Sequence, residues 1–184
     1  TGTGRGHHHH VRTAGTYVSV YPRLGPVFEF LKNGLKARSV GLLFTPAKNR
    51  EVALSFMEAG RSAGLGVQPI PVSSDGDLVR ELNAALTKID AVVLLIDPLI
   101  TERQSLQYVV DQCRSSRKPT VGFLDGLGGQ GVTVTVVAPP AATVTAAVEA
   151  SRSPVSVGKK RVEVEGLVVA VSRKEAQAVG LNAE

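Results

Sequence analysis

Between residues 38 and 125, short apolar runs alternate with segments whose apolar positions recur every three or four residues. Val40–Phe44 is an apolar run that stops at Thr45-Pro46. From about Asn49 to Ala63, the residues Val52, Phe56, Ala59 and Ala63 fall at helical spacing, with Asn49 placed to cap the helix and Gly64 to end it. Val67–Val72 reads as a second strand. Its Pro69 and Pro71 cannot donate to a ladder, which puts it at a sheet edge. Ser73-Ser74-Asp75 then opens a helix to about Thr87 that buries Leu78, Val79, Leu82, Ala85 and Leu86. Ala91–Ile96 is apolar throughout, the mark of a central strand covered on both faces, and it stops at Asp97-Pro98. A helix over about Glu102–Ser115 and a strand over Thr120–Leu124 close the regular part of the pattern.

The flanks are less regular. Tyr17–Val20 is a short strand candidate. Pro22 and Pro26 open a helix to about Leu35 with Val27, Phe30, Leu31 and Leu35 on one face, and Gly34 weakens its end. After residue 125 the pattern changes. DGLGGQG (125–131) predicts a flexible loop, Val132–Val137 a fifth strand, Pro140–Ala150 a short helix and Ser151–Lys160 a linker. Val162–Val171 reads as a final strand, and Ser172–Val179 as a closing helix with Ser172 and Glu175 at capping-box spacing, ended by Gly180.

Strands alternating with amphipathic helices predict an α/β fold. It is a parallel sheet of about five strands with helices on both faces, in a flavodoxin-like order. Residues 1–14 are glycine-rich, polar and without periodicity, which predicts a disordered tail ahead of a single domain over 15–184. Ligands of such sheets sit outside the carboxyl ends of the strands. The loops of interest are therefore Thr45-Pro46, Asp97-Pro98 and Asp125-Gly126.

Composition narrows the chemistry. The net charge of +5 is spread along the chain, with no tight basic run interleaved with aromatics, so nothing points to nucleic acid. The low aromatic content and the absence of Trp predict a core of Val, Leu, Ile and Ala. A single cysteine, Cys113, excludes an internal disulfide and a cysteine-based zinc cluster. It falls on the apolar stripe of its helix with Leu106, Val109 and Val110, as a structural thiol does. No apolar stretch reaches the roughly 18–20 residues of a membrane span. A signal peptide is not recognisable either, in a chain that opens TGTGRGHHHH.

Outside His7–His10 there is no histidine, which removes the commonest general base and any Ser–His–Asp triad. The four-histidine run has the chemistry of a transition-metal ligand, and equally that of a solvated tail or a tag remnant. DGLGGQG precedes a strand rather than opening a helix, so it is no dinucleotide fingerprint, and no phosphate-binding lysine loop exists. These features imply no cofactor and no enzyme. Asp97 and Asp125 both end strands. As a pair on one rim they could exchange protons or hold a cation; singly, each could cap the turn after it or bond a ligand. Thr45 supplies a hydroxyl, and the helix start after Pro46 supplies free N–H groups, on the same rim. Donors on one loop and an acid on the next suit a zwitterion.

RSVGLLFTPAKNREVALSFMEAGRSAGLGVQPIPVSS, IDAVVLLIDPLIT, KPTVGFLD and VAVSRKEAQAVGL together resemble the second lobe of ABC-transporter substrate-binding proteins. The group meant is the type I periplasmic-binding group of amino-acid, tryptophan and tyrosine binders. The resemblance spans about residues 16–181. It implies a small-molecule ligand such as an amino acid, a cleft lined by Thr45, Pro46, Asp97, Pro98 and Asp125, delivery to a membrane permease, and a location outside the cytoplasm. The chain departs from the group in three ways. The first lobe is missing, Thr45 stands where an aromatic or Asn is usual, and GVTVTVVAPPAATVTA lacks the usual Asp-Tyr. A single-lobe sensory or protein-docking module is the alternative expectation.

Overall fold

The computed structural model describes residues 21–139, 159–164 and 166–181. The expected tail over 1–14 with its histidines, the Tyr17–Val20 strand, the Pro140–Ala150 helix and all but the end of the Ser151–Lys160 linker lie outside them.

Helix α1 (Leu24–Asn33) leads into β1 (Ser39–Phe44), α2 (Pro46–Ser62), β2 (Gly66–Pro71), α3 (Asp75–Leu86) and β3 (Ala91–Leu94). A single turn, α4 (Pro98–Thr101), precedes α5 (Arg103–Ser115) and β4 (Thr120–Gly122). A 3-10 turn (Leu127–Gln130), β5 (Val134–Val137), the hairpin β6 (Lys159–Val164) and β7 (Leu167–Ser172), and α6 (Arg173–Ala178) complete the order.

The sheet has seven strands in the order β2-β1-β3-β4-β5-β7-β6. Strands β1 to β5 run parallel in the flavodoxin-like order, while β7 is antiparallel to both β5 and β6. The proline-bearing β2 is at one edge, where its missing donors cost nothing. The expected sheet of about five strands becomes one of seven, because the final run joins the sheet and does so as two strands. Val162–Val171 is not one strand, because Gly166 takes φ +81° and reverses the chain between Val164 and Leu167.

Alternation along each strand sends side chains to two separate cores. Val40, Leu42, Val93, Val121 and Val136 pack under α1 and α2, while Leu43, Val92 and Leu94 pack under α3 and α5. Gly41 has no side chain because one would stand 2.6 Å from Ile89 and 2.7 Å from Ile70. The first core is not purely aliphatic, as the composition suggested, but holds most of the aromatics among the described residues. Tyr21, Phe56 and Phe123 meet edge to face at centroid distances of 5.1–5.4 Å, with Phe28 beside Phe56. The face of α1 is centred on Val27, Phe28 and Leu31, leaving Phe30 and Leu35 partly covered. Val79, expected inside, is exposed on α3.

The 125–131 segment differs from the flexible loop expected of it. It winds into a 3-10 turn whose Leu127 is buried against α5 and Val132, so that one apolar anchor holds a glycine-rich stretch. At the other end of β4, the Thr120 and Thr133 hydroxyls each accept the other's backbone N–H at 3.1 and 3.0 Å. At the chain's end, Ser172 Oγ accepts the Glu175 N–H as expected. The Glu175 carboxylate, however, turns to Arg114 of α5, at 2.9 Å, instead of back to its own cap.

Candidate functional site

In the 2-1-3-4-5 order the chain leaves β1 toward β2 on one side and returns past it to β3 on the other. The connections therefore diverge above the carboxyl ends of β1 and β3 and leave a crevice between them. Thr45 and Asp97 stand at those two ends. Register aligns Leu43 with Leu94, so the residues just beyond each strand arrive side by side.

They are bonded directly. The Thr45 N–H donates to Asp97 Oδ2 at 2.9 Å and the Thr45 hydroxyl donates to Oδ1 at 2.8 Å. Asn49 Nδ2 donates to Oδ2 at 2.7 Å, and the Leu99 N–H donates to Oδ1 at 3.0 Å. Each carboxylate oxygen thus accepts two bonds, and the side chain is wholly buried (0 % exposed). Among the described residues no cation is paired with the group; two backbone N–H groups, a hydroxyl and an amide do the work of solvation. Asp97 also caps the turn that follows, as its position before Pro98 allows.

Asn49 was expected to cap α2. Instead Thr45 is the residue ahead of the helix, Pro46 occupies its first turn, and the helix is kinked at Asn49, whose φ and ψ are −129° and 22°. The kink turns the amide inward to Asp97 and to the Ile96 carbonyl, 3.3 Å away. The remaining amide oxygen, Asn49 Oδ1, is buried with no hydrogen-bond partner among the described residues. The same geometry reduces the free donors expected after Pro46, because the Lys48 and Asn49 N–H groups both donate to the Thr45 carbonyl. A polar residue on the covered face of α2, four positions after Thr45, was the signal that could have placed Asn49 in the cluster.

Around this joint is an open depression of about 430 Å³. Thr45 and Lys48 line it from the start of α2, Asp75 from the start of α3, and Asp97, Pro98, Leu99 and Glu102 from the β3–α5 connection. Lys48, Asp75, Pro98 and Glu102 are exposed, and Pro46 is half-buried beside Thr45. Lys48, Asp75 and Glu102 carry the free charge of this site and were not singled out by the sequence. A larger hollow of about 520 Å³ runs along Leu54, Met57, Glu58, Arg61 and Ser62 of α2 alone. It touches no strand end and none of the polar cluster.

Asp125 is not part of this arrangement. It follows β4 on the same rim, but its carboxylate is exposed and pairs with Arg161 of β6 at 2.9 Å. The two acids that the sequence placed on one rim therefore do not form a pair. Cys113 is buried in the second core, and desolvation pushes its thiol up to about 12, so it remains neutral and unreactive near pH 7.

No family model matches the chain, and no curated protein matches it. Solved structures do. A domain from Streptococcus pneumoniae, described as the ABC domain in complex with L-Trp, superposes with a TM-score of 0.63 at 21 % identity. The match covers 85 % of this chain and 55 % of that one. A conserved domain protein from Vibrio cholerae gives 0.65 at 15 %, over 89 % and 57 %. An open, ligand-free substrate-binding protein with adhesive properties from Clostridium difficile gives 0.63 at 16 %, over 85 % and 55 %. The fold is thus that of a lobe of type I substrate-binding proteins, as the sequence motifs suggested, and the chain spans a little over half the length of these relatives. Among the described residues, no helix is long and apolar enough to cross a membrane.

Proposed function

We propose that this chain acts as one lobe of an extracytoplasmic substrate-binding protein of an ABC transporter, taking a small zwitterion such as an amino acid at its strand-end rim. One observation carries the reading. The open depression lies at the topological switch point, the place where α/β sheets bind ligands, and has the volume of a small-molecule site. Its exposed charges are of both signs, Lys48 for a carboxylate and Asp75 with Glu102 for an ammonium group. Thr45, Pro46 and Pro98 supply the wall. Asp97 acts by holding the two loops at a fixed separation, since its own acceptors are already filled. In this reading a first lobe closes over the rim and a membrane permease receives the ligand. The role is binding and not turnover.

The test is titration calorimetry of the chain, beginning with L-Trp because a structural relative was solved with it, then with aliphatic, acidic and basic amino acids. Saturable heat is expected, accompanied by thermal stabilisation of about 2–3 kcal/mol once free ligand is a hundredfold above its dissociation constant. Lys48→Ala and Glu102→Gln, the latter keeping an acceptor for the Ser105 hydroxyl, are expected to remove the binding and leave the melting temperature of the free chain in place. A flat titration to about ten millimolar of every amino acid, a range in which even a millimolar site saturates, sinks the reading.

A further inference from the structure

We propose that the chain pairs with a second copy of itself through the outer edge of β6, antiparallel and about a two-fold axis at Val162, so that two seven-stranded sheets join into one. This is independent of the ligand reading and uses the opposite end of the sheet from β2.

Strand β6 is the outermost strand of the sheet, and among the described residues nothing pairs with its far edge. Its partner β7 is reached through a two-residue turn between Val164 and Leu167. Such a turn makes those two a hydrogen-bonded pair, and the alternation of an antiparallel ladder then points the N–H and C=O groups of Arg161 and Glu163 outward. These are the groups a further strand would use.

The side chains on this edge are ordered in a self-complementary way. The strand reads Lys-Lys-Arg-Val-Glu-Val, with its basic half before Val162 and its acidic residue after it. An antiparallel copy centred on Val162 sets Arg161 opposite Glu163 of the second copy, and Glu163 opposite Arg161 of the second copy. Two opposite-charge pairs then lie on one face of the new ladder. These are the residues whose main-chain groups point outward, so hydrogen bonds and charges agree on one register. On the other face Val162 meets Val162 of the copy. Val162 is one of only three large apolar residues exposed among the described residues, at 40 %, and pairing covers it. Charges on an edge strand commonly guard against pairing, and a strand of one sign does so against its own copy. Here the order of signs turns that guard into recognition. In the single chain Arg161 reaches inward across the sheet to Asp125 at 2.9 Å, and on pairing it exchanges that exposed carboxylate for Glu163 of the second copy.

A single edge-to-edge ladder is a small interface and belongs with weak associations. Sedimentation of the full chain should therefore be followed from about ten micromolar to about one millimolar, in EDTA to silence the histidine run. A monomer–dimer equilibrium is expected. Arg161→Glu and Glu163→Arg each place like charges opposite one another twice in the dimer, and each should weaken association by about tenfold or more. The double exchange, Arg161→Glu with Glu163→Arg, restores complementarity and should restore the dimer. Glu58→Arg, a comparable charge change on α2, should leave it intact. Melting curves verify that each variant is folded. A chain monomeric throughout overturns the proposal. So does a dimer indifferent to the single exchanges, which would point to another surface, and so does a double exchange that stays monomeric.

Discussion

The ends of β3 and β4 carry the same apparent signal, an aspartate just past an apolar strand, and the structure uses them in opposite ways. Asp97 is sealed from solvent and accepts four hydrogen bonds from two loops and a helix. Asp125 lies in solvent and makes one ion pair with a strand three positions across the sheet. What holds the β3 end is polar bonding to a buried carboxylate. What holds the β4 end is apolar, Leu127 set into the second core, while the acid beside it stays in solvent with its one ion pair. A strand-end acid therefore says where function can be and leaves open whether the acid serves the ligand or the loops.

The strongest way to break this contrast is Asp97→Ala. It leaves the Thr45 and Leu99 N–H groups, the Thr45 hydroxyl and the Asn49 amide without their acceptor. It should cost about 3–5 kcal/mol in urea unfolding, with Asp97→Asn losing less because one acceptor oxygen survives. A loss below about 1 kcal/mol would mean that the loops do not depend on the carboxylate.

Next in size is Leu127→Ala. If the β4 end is held by apolar burial, the substitution should cost about 2–4 kcal/mol and speed hydrogen exchange of the 126–131 amides. A stability near that of the parent would return this segment to the mobile loop that its glycines suggest.

The smallest effect belongs to Asp125→Asn. The pair with Arg161 is solvent-screened on the aspartate side, so its loss should cost less than about 1 kcal/mol and fade further in high salt. A cost like that of Asp97 would erase the distinction between the two ends.

Much of this was legible in the residues themselves. The apolar run of β3 announced a central strand, Pro69 and Pro71 announced the edge at β2, and Ser74 caps α3 through the Asp77 N–H as its place in the sequence predicts. These properties depend on burial periodicity and on backbone donors, which a few neighbouring residues determine. The Val162–Val171 run was misread because Glu165-Gly166 is a turn signal only when both flanking runs find partners, and those partners, β5 and β7, are set by the sheet.

The site followed the same division. By itself, the sequence determined the fold class, the strand-end loops and the presence of Thr45 and Asp97 on one rim, because parallel strands must end on the same side. Only the tertiary structure decided that Asn49 abandons the helix cap for Asp97, that Asp125 joins Arg161 and not Asp97, and that Lys48, Asp75 and Glu102 carry the free charge. The reason is physical. A carboxylate is solvated by whichever donors lie within about 3 Å of it, and for Asp97 three of the four come from Thr45 and Asn49, about fifty positions earlier in the chain, beyond the end of a neighbouring strand.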